Sequence, residues 1–284
     1  MLHALEPEPG NVHGVFSRDL TPVLTVEPGD SVSLVIPDGM WTLDSGEQLV
    51  PRDPEVETGH ALVGPIEVRG ARAGQVLVVR VDSVRAGRTG VTLTEPPHLI
   101  RWQLDGDVGR GGGRAVRLAP FLGVMGMPPP EPGFHSTHPP RQWGGNIDCK
   151  ELVAGATLYL PIPVEGALFS TGDGHAAQGD GEVSGTAIEC PVSAVLTLDV
   201  RDDIELEWPL ARVGDSWLTF GFDEHLGRAA RIAVDGMLDL MERELGMSRD
   251  DALAFASVVV DLRVTQVVNG VLGVHAVLRD DAFL

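Results

Sequence analysis

Apolar residues come in short runs, and along most of the chain they alternate with polar ones or form continuous apolar stretches rather than recurring at a helical step. Ser31–Ile36 alternates, which predicts a strand with one face buried. Val76-Leu-Val-Val-Arg-Val opens a nearly unbroken apolar run over Val76–Val84 and predicts a strand buried on both faces. Ile66–Val68, Ala115–Leu118, Thr157–Val164, Val183–Glu189, Val192–Val200, Ile204–Trp208, Ala211–Val213 and Ser216–Gly221 read as further strands. Turn signals such as Val26-Glu-Pro-Gly-Asp30 and Ala71-Arg-Ala-Gly74 separate the earlier ones.

The period changes after residue 222. Leu226, Ala230, Val234, Met237, Met241 and Leu245 recur at steps of three or four, predicting an amphipathic helix that Gly246 terminates. Asp239 and Arg243 are spaced for an i,i+4 pair. Ser248-Arg-Asp-Asp251 opens a second helix to about Val258, packed with the first on the sheet. Asp261–Val268 and Val271–Leu278 flank Asn269-Gly270, the signature of a hairpin. The expectation is a mainly β fold of sandwich- or barrel-like sheets with a late helical pair. It forms a single unit over 1–284, with room for two intimately packed β subdomains, about 1–200 and 201–284.

Stretches without periodicity complete the picture. Residues 45–65 read as a long loop carrying His60, and residues 85–114, rich in Gly and Arg, as a loop or flap. Met127-Pro-Pro-Pro-Glu-Pro132 is a rigid spacer. Residues 172–182 read as a glycine-jointed polar loop between strands. High glycine (35) and proline (21) contents are spread as punctuation between apolar runs, so they indicate many short strands rather than disorder.

A net charge of −20 repels phosphate backbones and anionic membranes, so nucleic acid and membrane surfaces are not expected partners. No apolar run reaches transmembrane length, and the two cysteines, Cys149 and Cys190, make a cytoplasmic protein with free thiols the expectation, a Cys149–Cys190 bridge staying open. Lys150 is the only lysine, so any lysine-dependent mechanism must use it. On a strand it points away from Cys149, a Ser-Ser-Lys site lacks a nucleophile loop nearby, and no G-x-S-x-G elbow exists.

Metal-assisted hydrolysis has more candidates. Asp173, His175, Asp180 and Glu182 fall within 172–182, and Asp148 stands before them. Imidazole and carboxylate donors suit zinc, with calcium or another dication as an alternative, although the spacing differs from a twelve-residue calcium loop. A turn with no site is the plain alternative for this Gly-Asp segment. On the site reading Asp148, His175 and Asp180 hold the metal, and Glu182 and Asp173 are the catalytic acids, Glu182 moving the proton. His13, Asp44, His60, Asn146 and Gln178 are the candidates to bind substrate or support these groups, an Asx turn being the alternative for Asp44. Asn146 and Asp148 share a face if extended, turn chemistry being the alternative. His13 lies inside an apolar piece, where a packed histidine is the commoner role.

G-D-G-H-A-A-Q-G-D-G-E-V (172–183) with S-G-T-A-I-E after it resembles the acetamidase/formamidase family. V-H-G-V-F (12–16), P-V-L-T-V-E-P-G-D-S-V (22–32), T-G-H-A-L-V-G-P-I-E-V-R-G-A-R-A-G (58–74), H-P-P-R-Q-W-G-G-N-I-D (138–148) and D-L-R-V-T-Q-V-V (261–268) extend the resemblance over nearly the full length. It implies a β-rich fold with few helices, usually a homo-oligomer, a divalent metal, and hydrolysis of formamide or acetamide to ammonia and the carboxylate. By motif it carries Asp148, Asp173, His175, Asp180 and Glu182 into the site, with His13, Asp44 and His60 as contributors. Residues 85–137 match less well; if they shape the pocket, a larger amide or another C–N bond becomes the substrate. A non-catalytic β protein binding a metal or small ligand is the alternative of a different class.

Overall fold

The computed structural model describes residues 1–283. Val76–Ala86 lies inside a nine-stranded sheet, as its apolar run requires, between Val192–Arg201 and Thr157–Pro161. Asp30–Ile36 and Leu2–Leu5 continue the sheet on one side; Leu210–Val213, Ser216–Asp223, Leu272–Arg279 and Val260–Gln266 continue it on the other. Only the Leu2–Leu5 pairing with Asp30–Ile36 is parallel here. The sheet carries strands from both sides of residue 200.

A six-stranded sheet runs Gly144–Asn146, Phe121–Gly126, Phe169–His175, Leu62–Val68 and Val12–His13, with Leu24–Val26 alongside Leu62–Val68. One hydrophobic cluster draws on both sheets, bringing Val79, Val81 and Leu196 together with Ile66, Met125 and Phe169. Burying these faces is the main stabilising term, roughly 25 cal/mol per Å² of apolar surface. Helix α1 (Leu226–Leu245) and helix α2 (Arg249–Val259) form a second cluster with strands Leu210–Val213 and Leu272–Arg279.

Gly246 is left-handed (φ 65°) and donates its N–H to Glu242 O, ending α1, and Ser248 caps α2 by accepting from Asp251 N. The buried stripe of α1 is Ala229, Ala233, Met237, Leu238, Leu240 and Met241, so Leu226 and Leu245 fall at its exposed ends. Asp239 pairs with Arg249, whereas Arg243 turns to Glu244.

Several expectations are corrected. Residues 85–114 are not a flap: Thr89–Thr94, His98–Asp105 and Val108–Gly111, with Arg114–Arg117, form a four-stranded antiparallel sheet. Its alternation is thin because, of its large apolar residues, only Trp102 and Leu104 are buried, among exposed arginines. The strand after the 45–65 loop begins at Leu62, running through Pro65. Ile204–Trp208 alternates but finds no sheet edge; it lies as irregular chain over α1, where Leu206 packs. Val183–Glu189 is a loop broken at Gly185.

The 172–182 stretch is not a single loop. Its first part belongs to the wholly buried strand Phe169–His175. A Cβ at Gly172 would run into Ala61 O, and one at Gly174 would sit 2.5 Å from Cys190 O. These glycines serve close approach between neighbouring chains rather than turning.

Candidate active site

The period of a strand puts Asp173 and His175 on one face of Phe169–His175, with the two glycines on the other. Beside it, the chain leaves strand Gly144–Asn146 and gives both Ile147 N and Asp148 N to Gly123 O (3.0 and 3.2 Å), which turns Asp148 towards His175. Asp148, Asp173 and Glu182 have φ of 52°, 59° and 44°; these acids are three of the six non-glycine positive-φ residues among those described. Such backbone is costly for an L-residue, by about 1–3 kcal/mol, and strain of this kind gathers at functional sites.

One imidazole faces four carboxylates. His175 Nε2 is 3.3 Å from Asp173 Oδ2, 3.2 Å from Glu189 Oε2 and 4.0 Å from Glu182 Oε1, while Nδ1 is 4.0 Å from Asp148 Oδ1. All five residues are buried. Two ligand triads result, Asp148–His175–Glu182 and Asp173–His175–Glu189, each with its ligand atoms within 4.8 Å of one another.

Burial and the neighbouring Glu182 push the Asp148 pKa well above the usual carboxylate range, and burial raises Glu189 and lifts Glu182 to about 8. For Asp173 burial works upward, but the His175 and His60 charges outweigh it and hold its pKa below normal. Burial disfavours the His175 cation, yet Glu189 and Asp173 hold its pKa well above normal. Four buried carboxylates against one imidazolium leave excess negative charge, which protons or a metal cation must balance.

The residues fit a cation. Asp148 Oδ1, His175 Nδ1 and Asn146 Oδ1 are buried without a hydrogen-bond partner among the described residues. A Cβ at Gly123 would lie 2.5 Å from Asp173 Oδ2, 2.7 Å from Asp148 Oδ1 and 3.0 Å from His175 Cε1, so glycine keeps a cradle open between two acids and the imidazole. Orphaned acceptors around such a space are donors awaiting an ion.

A cavity of about 200 Å³ opens over the cluster, lined by Asp173, His175, Glu182 and Glu189, with Asn146, His60 and His138 on its walls. The His60 and His138 rings meet edge-on, 4.7 Å between centroids. Gln178 Nε2 donates to Asp148 O (2.7 Å), supporting that strained turn. Residues 85–137 contribute no wall; from that stretch, Gly123 faces the Asp148 and Asp173 carboxylates, and Val91 holds the Glu189 backbone through a bridge.

Other candidates lie elsewhere. Asp180 is partly exposed and pairs with Lys150 Nζ at 2.9 Å, outside both triads: beyond the end of the strand the chain carries it away. Lys150 is occupied by that pair, away from the pocket. His13 is a packed residue bonded to Val15 O and Ser170 Oγ. Asp44 is exposed and holds Arg88. Cys149 and Cys190 are both free and buried.

Sequence reasoning missed Glu189, His138, Gly123 and Asn269. Glu189 ends a run that reads as a strand, although its carboxylate returns to His175; Oε1 is fixed by Ala187 N at 2.8 Å. Asn269 reads as a hairpin turn residue, and its Nδ2 donates to Asp148 Oδ2 at 2.8 Å.

Comparison with known proteins places this geometry. The chain matches the model of the Acetamidase/Formamidase family over residues 3–101 and 133–214. A formamidase of Methylophilus methylotrophus is 48% identical over a match covering 62% of this chain and 60% of that one. The chain spans 12–60% of the length of the curated relatives it matches. Among solved structures, one described as a predicted acetamidase/formamidase from Thermoanaerobacter tengcongensis superposes with a TM-score of 0.88 at 25% identity, covering 99% of this chain and 96% of that one. An acetamidase from Bacillus halodurans gives 0.87 at 26% identity, covering 97% of each. With strands, helices and buried acids arranged as described and the family match spanning most of its length, the chain belongs to the acetamidase/formamidase family.

Proposed function

We propose that the chain hydrolyses a short aliphatic amide, of formamide or acetamide type, to ammonia and the carboxylate, and that it does so with a divalent metal. The observation that carries this is the buried cluster of four carboxylates on His175, with orphaned Asp148 Oδ1 and His175 Nδ1, at the base of a small cavity. At about 200 Å³ that cavity is below the roughly 300–1,000 Å³ of sites for drug-sized ligands, which supports a small substrate.

Asp148 and Asp173, which flank the Gly123 cradle, and His175, which is common to both ligand triads, would hold the ion, with Glu182 and Glu189 beside them; the mixed imidazole and carboxylate set suits zinc, and its oxygen-rich side suits calcium. Bound there, a cation would polarise the amide carbonyl and acidify a water. Asn146 offers its unpartnered Oδ1 to the amide N–H₂. Glu182 carries the proton: Asp148 and Glu189 are each fixed by an N–H donor, whereas among the described residues no N–H donates to the Glu182 carboxylate. Water oxygen bonds to the carbonyl carbon, the C–N bond breaks, and Glu182 passes the water proton to the departing nitrogen.

A larger amide is the second reading. Glu182 also borders a hollow of about 440 Å³, lined by Trp102, Arg117 and Val183. Ammonia release across formamide, acetamide, propionamide and longer amides separates the two. A kcat/KM that falls with chain length supports the first reading, and one that rises supports the second.

A further inference from the structure

Cys149 follows Asp148 yet points away from the cavity. Its Sγ lies 3.3 Å from Glu151 Oε2, and His275 Nε2 lies 3.7 Å from the same oxygen. The three ligand atoms are all within 4.8 Å of one another. His275 is fully buried; Nδ1 lies 2.8 Å from Thr265 Oγ1, while Nε2, aimed at Glu151, has no hydrogen-bond partner among the described residues. The other Glu151 oxygen accepts from Arg263 Nη1 at 3.0 Å.

We propose that Cys149, Glu151 and His275 form a second metal site, for a thiophilic borderline dication such as zinc. A thiol donating to a carboxylate accounts for Cys149 and Glu151, but it leaves the His275 Nε2 lone pair facing the same oxygen unused. Thr265 Oγ1 is placed to accept Nδ1–H, the tautomer that leaves Nε2 free to ligate. Zn–S of about 2.3 Å and Zn–O or Zn–N of about 2.0 Å at a tetrahedral angle give ligand–ligand edges of about 3.3–3.5 Å, and the two edges to Glu151 Oε2 are 3.3 Å from Sγ and 3.7 Å from Nε2. On binding, the thiol proton leaves to solvent, and thiolate and carboxylate together neutralise the dication. Three protein ligands leave a fourth position for water on the partly exposed Glu151 side. The site would tie the turn bearing Asp148 to strand Leu272–Arg279, making its metal a positioning element one residue from the amide-hydrolysing cluster.

The test uses the full chain, stripped of metal and titrated with Co²⁺. A cobalt–thiolate charge-transfer band in the near ultraviolet is expected, since the cluster around His175 offers only nitrogen and oxygen. Cys149→Ser should abolish the band and lower bound Zn²⁺ by one equivalent. Cys190→Ser should keep both, because Cys190, beside Glu189, is the only other thiol. Absence of the band, or its survival in Cys149→Ser, overturns the proposal. Should Cys149→Ser not fold, zinc-edge X-ray absorption on zinc-loaded Cys190→Ser protein decides: one sulfur at about 2.3 Å supports the site, and a sulfur-free shell overturns it. A sulfur signal without amide hydrolysis counts against the proposed function alone, and hydrolysis without a sulfur signal counts against this site alone.

Discussion

Glu189 Oε2 stands 3.2 Å from His175 Nε2, although the whole polar loop 176–188 lies between them in the chain. An antiparallel bridge between the same two residues makes the contact, so the backbone of the loop's two ends delivers the fourth carboxylate to the imidazole. Glu182, on the loop itself, reaches the same ring from the cavity side.

Glu182 is assigned the proton. Glu182→Gln keeps shape and hydrogen-bonding capacity but cannot accept a proton, so turnover should fall by roughly 10² or more with fold intact. Steady-state kinetics beside metal analysis check this; near-normal turnover removes Glu182 from the role.

Charge in the cluster should show in stability. In the metal-free protein burial holds the Glu182 pKa at about 8, against 4.5 when unperturbed, so the folded state binds more protons between these values. Its contribution is full below about pH 4.5 and is lost as pH rises through 8. Denaturant melts of metal-free protein should show this loss from Glu182, and Glu182→Gln should lack it. Equal slopes for the two proteins contradict the assignment.

The Gly123 cradle makes a sharper claim about space. Gly123→Ala places a methyl 2.5 Å from Asp173 Oδ2 and 2.7 Å from Asp148 Oδ1. Metal content at the cluster and amide turnover should fall together, at least tenfold, while circular dichroism stays native. Full metal occupancy with normal turnover would move the ion elsewhere.

His13 is given a packing role rather than a site role. Burial lowers its pKa from 6.5 to about 4, so between those values the unfolded chain binds the extra proton. Stability from this residue is full above pH 6.5 and is lost as pH falls towards 4, by about 3 kcal/mol in all. Urea midpoints from pH 7 to 4.5 should fall more steeply in the natural protein than in His13→Gln; matching slopes would contradict the buried neutral histidine.

Much of the fold was legible because apolar period maps directly onto burial. Val76–Ala86, Val192–Arg201, α1, α2 and the Asn269-Gly270 hairpin all follow from it. What stayed hidden has physical causes. Glycine in Phe169–His175 reads as a turn until Ala61 O and Cys190 O are seen pressing on it. Of the motif's acids, Asp148, Asp173 and Glu182 gather around His175 while Asp180 pairs with Lys150, since one turn of backbone decides which way a neighbouring acid faces. Glu189, Asn269 and Gly123 carry no local signal: a bridge, a hairpin tip and an absent Cβ become functional only through contacts distant in sequence.

Ammonia release from formamide and acetamide, followed through chelation and metal add-back in the natural protein and in His175→Ala, decides whether a metal held at His175 drives the hydrolysis. Release that chelation abolishes and one dication restores, with His175→Ala folded but inactive and depleted of that ion, is the expected result. Release untouched by chelation, or retained in His175→Ala, would contradict a metal-assisted amide hydrolysis centred on His175.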